Sequence, residues 1–77
     1  MTKHESTLAI RIRTWREAAN LSKSQLADML EVTPSTVHKW ERSHMLPTIA
    51  NMQGITEACG VSMAIFWGRL PEGEADA

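Results

Sequence analysis

The sequence has no tyrosine, one phenylalanine and one cysteine, Cys59. A lone thiol forms no internal disulfide, so crosslinks do not replace a core here and a reducing, cytoplasmic setting is expected. No apolar run approaches the ~18 residues of a membrane span, and no apolar stretch of signal-peptide type follows Met1-Thr2-Lys3-His4-Glu5. Neither a membrane partner nor secretion is therefore expected. Repeats and low-complexity tracts are missing, as is the β-branched alternation that marks strands. Catalytic patterns are missing too. There is no nucleophile–base pair, Gly-rich phosphate loop or carboxylate dyad, which argues against an enzyme and against a small-molecule substrate. His4, His38, His44 and Cys59 show no ligand spacing such as C-x₂-C or H-x₃-H, so neither a metal nor another cofactor is expected.

What is present suits a packed globule. The chain has 77 residues, 43% of them hydrophobic, enough for one domain with one modest core. The net charge of −1 hides an uneven distribution. Residues 1–20 carry Lys3, Arg11, Arg13 and Arg16 against Glu5 and Glu17, whereas residues 57–77 carry Arg69 against Glu57, Glu72, Glu74 and Asp76. Local potential, rather than the sum, decides whether an anionic partner is attracted.

Helical spacing recurs throughout. Leu8, Ile12, Trp15 and Ala19 form one apolar stripe, predicting a helix from about Ser6 to Ala19 with Asn20 as a left-handed stop. Ser22 and Gln25 form a capping box ahead of a short helix with Leu26, Ala27 and Leu30 on its apolar face. After Glu31-Val32-Thr33, the N-cap Thr33 and Pro34 at the first helical position start a third helix that reaches about Arg42, with Val37 and Trp40 inward. Ser43–Pro47 reads as a loop. Thr48 caps a fourth helix with a stripe of Ile49, Met52, Ile55 and Cys59, closed by Gly60. Ser62 caps a last short helix with Met63, Phe66 and Trp67. The expected organisation is an all-α, five-helix domain over residues 1–68, followed by a mobile acidic tail over 69–77.

Two short helices joined by a tight turn bury their faces only against each other, which is the helix-turn-helix arrangement. Val32 plugs the turn, small Ala27 permits close approach, and Val37 and Trp40 lock the third helix down, so Ser35, Thr36, His38 and Lys39 must face elsewhere. Such a polar, basic helix end fits a major groove.

These residues resemble the phage repressor/Cro (XRE-type) helix-turn-helix family. The resemblance lies in Leu21-Ser22-Lys23-Ser24-Gln25-Leu26-Ala27, Leu30-Glu31-Val32-Thr33 and Ser35-Thr36-Val37-His38-Lys39-Trp40-Glu41, and continues through Leu46-Pro47-Thr48, Ile49, Met52, Ile55, Ala58 and Gly60-Val61-Ser62. It implies a five-helix transcriptional regulator that occludes a promoter, binding a palindromic duplex operator as a homodimer. By position, Lys23 contacts a phosphate. Glutamine, common there in the family, also braces the recognition helix, and lysine instead favours a plain charge contact. Thr33, Ser35, Thr36, His38 and Lys39 hold the recognition positions, with Ser35 and Lys39 as the best candidates for base edges and Thr33 as a candidate for a phosphate. Arg42, Ser43 and His44 fall in the loop that meets the DNA backbone. Arg16 and Glu41 correspond to a structural ion pair between the first and third helices. Arg13 reads as a solvated helix charge, with a phosphate contact as the alternative.

Two features depart from the family pattern. Glu31 fills a turn position where glycine is usual, at a cost of about 1 kcal/mol if its φ is positive. The loop after the third helix is poor in lysine, which makes dimerisation more important. Trp15 and Trp40 read as packing residues, while Phe66 and Trp67 together are candidates for a dimer contact. Other readings keep the same fold: a restriction-modification controller, an antitoxin-type autoregulator, or a protein-interaction module that no longer binds DNA. Lys23, Lys39 and Arg42 on one face argue against the last.

Overall fold

The start of nearly every helix is fixed by one hydroxyl. In the computed structural model, which describes residues 7–71, the helices are α1 (Thr7–Ala18), α2 (Lys23–Leu30), α3 (Pro34–Glu41), α4 (Ile49–Cys59) and α5 (Met63–Trp67), and no strand occurs among the described residues. Ser22 Oγ accepts from Gln25 N at 3.0 Å while Gln25 Oε1 accepts from Ser22 N at 2.8 Å, a complete capping box at α2. Thr33, Thr48 and Ser62 accept in the same way from Thr36 N (3.2 Å), Asn51 N (3.1 Å) and Ile65 N (3.1 Å). Each hydroxyl satisfies an amide that has no partner inside its helix.

The ends of α1 to α4 share one closure. A left-handed residue follows each helix: Asn20 (φ 61°), Glu31 (60°), Ser43 (62°) and Gly60 (74°). The amide after it reaches back five residues, as in Leu21 N to Arg16 O (3.1 Å), Val32 N to Ala27 O (2.9 Å), His44 N to Lys39 O (2.8 Å) and Val61 N to Thr56 O (3.0 Å). This pairing satisfies the last carbonyls and drives the chain sharply away. After α1, α2 and α4 the reaching residue is apolar, and Leu21, Val32 and Val61 all pack against the core. The stops thus also steer the next segment inward.

The core is Ile12, Leu26, Ala27, Val37, Trp40, Ile55 and Phe66, drawn from all five helices. α1 packs against α3, α4 and α5, and α2 against α3 and α4. With neighbours on several sides, α1 buries more than one stripe. Ala9, Ile12, Thr14 and Arg16 are buried, while Leu8 and Trp15 of the expected stripe are half-buried. α2 and α4 approach closely at Gly54, where an added Cβ would lie 3.1 Å from Leu30 Cγ.

Two sequence expectations need correction. Ile49 heads the expected α4 stripe, yet it is 80% exposed. The stripe is regular, but the neighbouring helices cover it only from Met52 onward. Phe66 is fully buried in the core, which removes it from the expected dimer contact, because a side chain sealed beneath the fold cannot meet a partner. Trp67 beside it remains 45% exposed. At the expected boundary after residue 68, Leu70 and Pro71 are still half-buried, and residues 72–77 of the acidic tail lie outside the described residues, as does His4. No helix among the described residues is long and apolar enough to cross a membrane.

Candidate nucleic-acid interface

The two sides of α3 are sorted by spacing. Val37, Trp40 and Glu41, at i, i+3 and i+4, are buried. Ser35, His38, Lys39 and Arg42, at i, i+3, i+4 and i+7, are exposed in one line down the opposite side. Thr36 and Ser43 are half-buried beside this line, and His44 is exposed past its end. Thr33 is exposed, but its hydroxyl is already engaged in capping and lies 3.0 Å from Thr36 Oγ1.

The charge on this surface is set by one buried pair. Between Thr33 and His44 the sole carboxylate is Glu41. Arg16 Nε donates to Glu41 Oε2 at 2.7 Å and Nη2 to Oε1 at 3.1 Å, a two-pronged pairing with both side chains almost wholly covered. The hydrogen bond to Glu41 raises the Arg16 pKa further above its already high ordinary value, against the opposing effect of burial. Arg16 Nη1 also donates to Leu21 O at 2.8 Å. One guanidinium therefore ties the end of α1 to the last residue of α3 and offsets the Glu41 charge. Lys39 and Arg42 stand exposed on the outer side of this segment.

Lys23, the first residue of α2, comes to this face from the side. Its Nζ lies 2.9 Å from His38 Nδ1, across 15 residues of sequence. Lys23 thus meets α3 directly through this contact. The histidine it reaches lies one turn further along α3 than the N-terminal residues of that helix. No periodicity links positions 23 and 38, so the pairing carries no sequence signal.

Sequence reasoning also missed Arg11. Its Nη1 donates to Phe66 O (2.7 Å) and Gly68 O (2.6 Å), and its guanidinium sits 5.7 Å from the centroid of the Trp67 ring. Trp15 Nε1 donates to the same Phe66 carbonyl at 3.1 Å. A cation and an indole thus close the C-terminal end of α5, where free carbonyls favour positive charge. Trp67 is held edge-on to Phe66 at 5.3 Å with one part of its ring still exposed. Arg13 is half-buried on α1. No group of His, Cys, Asp and Glu able to hold a metal occurs among the described residues.

The helix-turn-helix family model matches residues 12–66, which is most of the chain. Among solved structures, the DNA-binding domain of the P22 c2 repressor superposes with a TM-score of 0.76 at 22% identity, covering 97% of this chain and 100% of that one. The c2 repressor in complex with a synthetic operator gives 0.70 at 24% identity, with 79% and 92% covered. The restriction-modification controller C.AhdI of Aeromonas hydrophila gives 0.72 at 23% identity, with 78% and 91% covered. The clp gene regulator ClgR of Corynebacterium glutamicum gives 0.73 at 22% identity and covers 77% of this chain, which spans 63% of ClgR. These likenesses establish the fold. No curated protein sequence matches. With all five helices in this arrangement and the family pattern spanning them, the chain belongs to the helix-turn-helix family of XRE-type DNA-binding regulators.

Proposed function

We propose that the chain binds duplex DNA sequence-specifically, as a Cro- or repressor-like regulator that acts in the cytoplasm and occludes a promoter as a homodimer on a palindromic operator. The observation that carries this reading is the uncovered line Ser35, His38, Lys39 and Arg42, with Glu41, the sole carboxylate between Thr33 and His44, sealed against Arg16. A helix roughly 10 Å across, with a polar and cationic outer side, fits a major groove about 12 Å wide. Ser35 and Lys39 face base edges in this docking, while Arg42, Ser43 and His44 flank the phosphates. Thr33 keeps its capping role and approaches the backbone at the helix start.

The dimer face falls to Trp67, with exposed Ile65 and Met63 on the same short helix. Such an apolar surface is a usual mark of an interface.

Selection from random duplexes, followed by footprinting and sedimentation on the selected fragment, tests the proposal. One enriched palindrome is expected, bound by a dimer with half-sites about 34 Å apart or a multiple of that. Affinity should fall steeply with salt, since each neutralised phosphate releases counterions. Failure to enrich any sequence sinks the regulator reading, and a single protomer per operator sinks the dimer.

A further inference from the structure

We infer that His38 is a specificity-determining residue of the DNA interface, donating from Nε2–H to an acceptor on a base edge, and that Lys23 is the positioning residue that fixes its ring. This deepens the DNA-binding reading and rests on it.

The argument starts with the 2.9 Å contact between Lys23 Nζ and His38 Nδ1. A lysine ammonium has three donors and no acceptor. The Nδ1 atom must therefore offer its lone pair, and in a neutral imidazole the proton then resides on Nε2. A histidine free in solvent presents either tautomer, and so reads nothing in particular. Here Lys23 takes Nδ1 and leaves the other ring nitrogen, Nε2, as a donor only. His38 lies in the middle of the exposed line on α3, flanked by Ser35 three residues before and Lys39 next to it. A fixed donor at that place selects a purine N7, guanine O6 or thymine O4, and rejects the amino groups of cytosine and adenine. The contact also holds the ring in one orientation before DNA arrives, so less side-chain freedom is lost on binding.

The role differs from that of Lys39, which is flexible and carries its donors on a long stem. It also differs from a phosphate contact, which would strengthen all duplexes alike. Those two alternatives give distinct outcomes in one experiment.

Random-duplex selection with the full chain is run for wild type, His38→Ala and Lys23→Met. Both substitutions are on the surface of the fold, and circular dichroism confirms that the variants fold. For His38→Ala, preference is expected to disappear at one base pair in each half-site and to persist elsewhere, with affinity for the wild-type site down about ten-fold. If the lost base is adenine, whose only major-groove acceptor is N7, 7-deaza substitution at that position weakens wild type by a similar factor and leaves His38→Ala unaffected. For Lys23→Met, preference at that same pair weakens, and the ¹⁵N shifts of the His38 ring move from the Nε2–H form toward a tautomer mixture. An unchanged selected sequence for His38→Ala, or equal weakening on every duplex, overturns the inference while leaving the DNA-binding reading intact. Wild type that enriches nothing overturns both.

Discussion

Arg16 and Glu41 meet through two parallel hydrogen bonds, 2.7 and 3.1 Å long, between helices that are 25 residues apart in sequence. The pair is almost fully covered, so neither charge has water to fall back on if its partner is lost. Arg16→Met or Glu41→Leu alone is expected to cost about 3–5 kcal/mol in urea unfolding. The double variant should cost much less than the sum, because no orphaned charge stays behind. Additive losses would show that the two groups act independently.

Glu31 takes the left-handed conformation at the end of α2 that glycine adopts without strain. Glu31→Gly should raise stability by about 0.5–1 kcal/mol, the relief of strain less the extra freedom glycine has when unfolded. Thermal or urea unfolding reads this directly. A loss of stability would mean that the glutamate side chain contributes something the backbone geometry does not reveal.

Arg11 holds the last turn of α5 through two carbonyls and the Trp67 ring. Arg11→Met should cost about 1–2 kcal/mol. The amide exchange of α5 should speed up more than that of α2 and α3, since Trp15 alone would then secure the Phe66 carbonyl. Uniform acceleration across all helices would contradict a local clamp.

Burial pushes the Cys59 thiol pKa up, against the pull of Arg16 and with a further push from Glu41. The folded chain therefore keeps the thiol protonated where the unfolded chain has begun to ionise. This contribution to stability is complete below the pKa of the unfolded thiol and shrinks as pH rises through it toward the higher folded value. Iodoacetamide should modify native Cys59 more slowly than the urea-unfolded chain, and Cys59→Val should flatten the alkaline part of the stability profile. Equal alkylation rates would refute the shielding.

Lys39 stands exposed on the outer line of α3 with no neighbouring uncovered carboxylate on that helix. Lys39→Ala should change which sequences are selected and cost about 1–3 kcal/mol on the wild-type site. An unaltered preference with weaker binding would move Lys39 to the phosphates.

Much of this molecule is written in short-range chemistry. Ser22 with Gln25, Thr33 with Pro34, Thr48, Ser62, Asn20 and Gly60 mark where helices start and stop, because caps act over three or four residues and depend little on the rest of the fold. Val37 and Trp40 likewise fix which side of α3 turns inward. Spacing alone did not settle how far each stripe is covered, so Ile49 stands in solvent and Phe66 is sealed in the core. Nor did it disclose the contacts between distant positions. Lys23 with His38, and Arg11 with the carbonyls of Phe66 and Gly68, arise only once the helices have packed. Backbone hydrogen bonding and side-chain shape are local properties, legible in order along the chain. Burial and long-range pairing belong to the angles at which five short helices cross, and those are decided by the packed core as a whole.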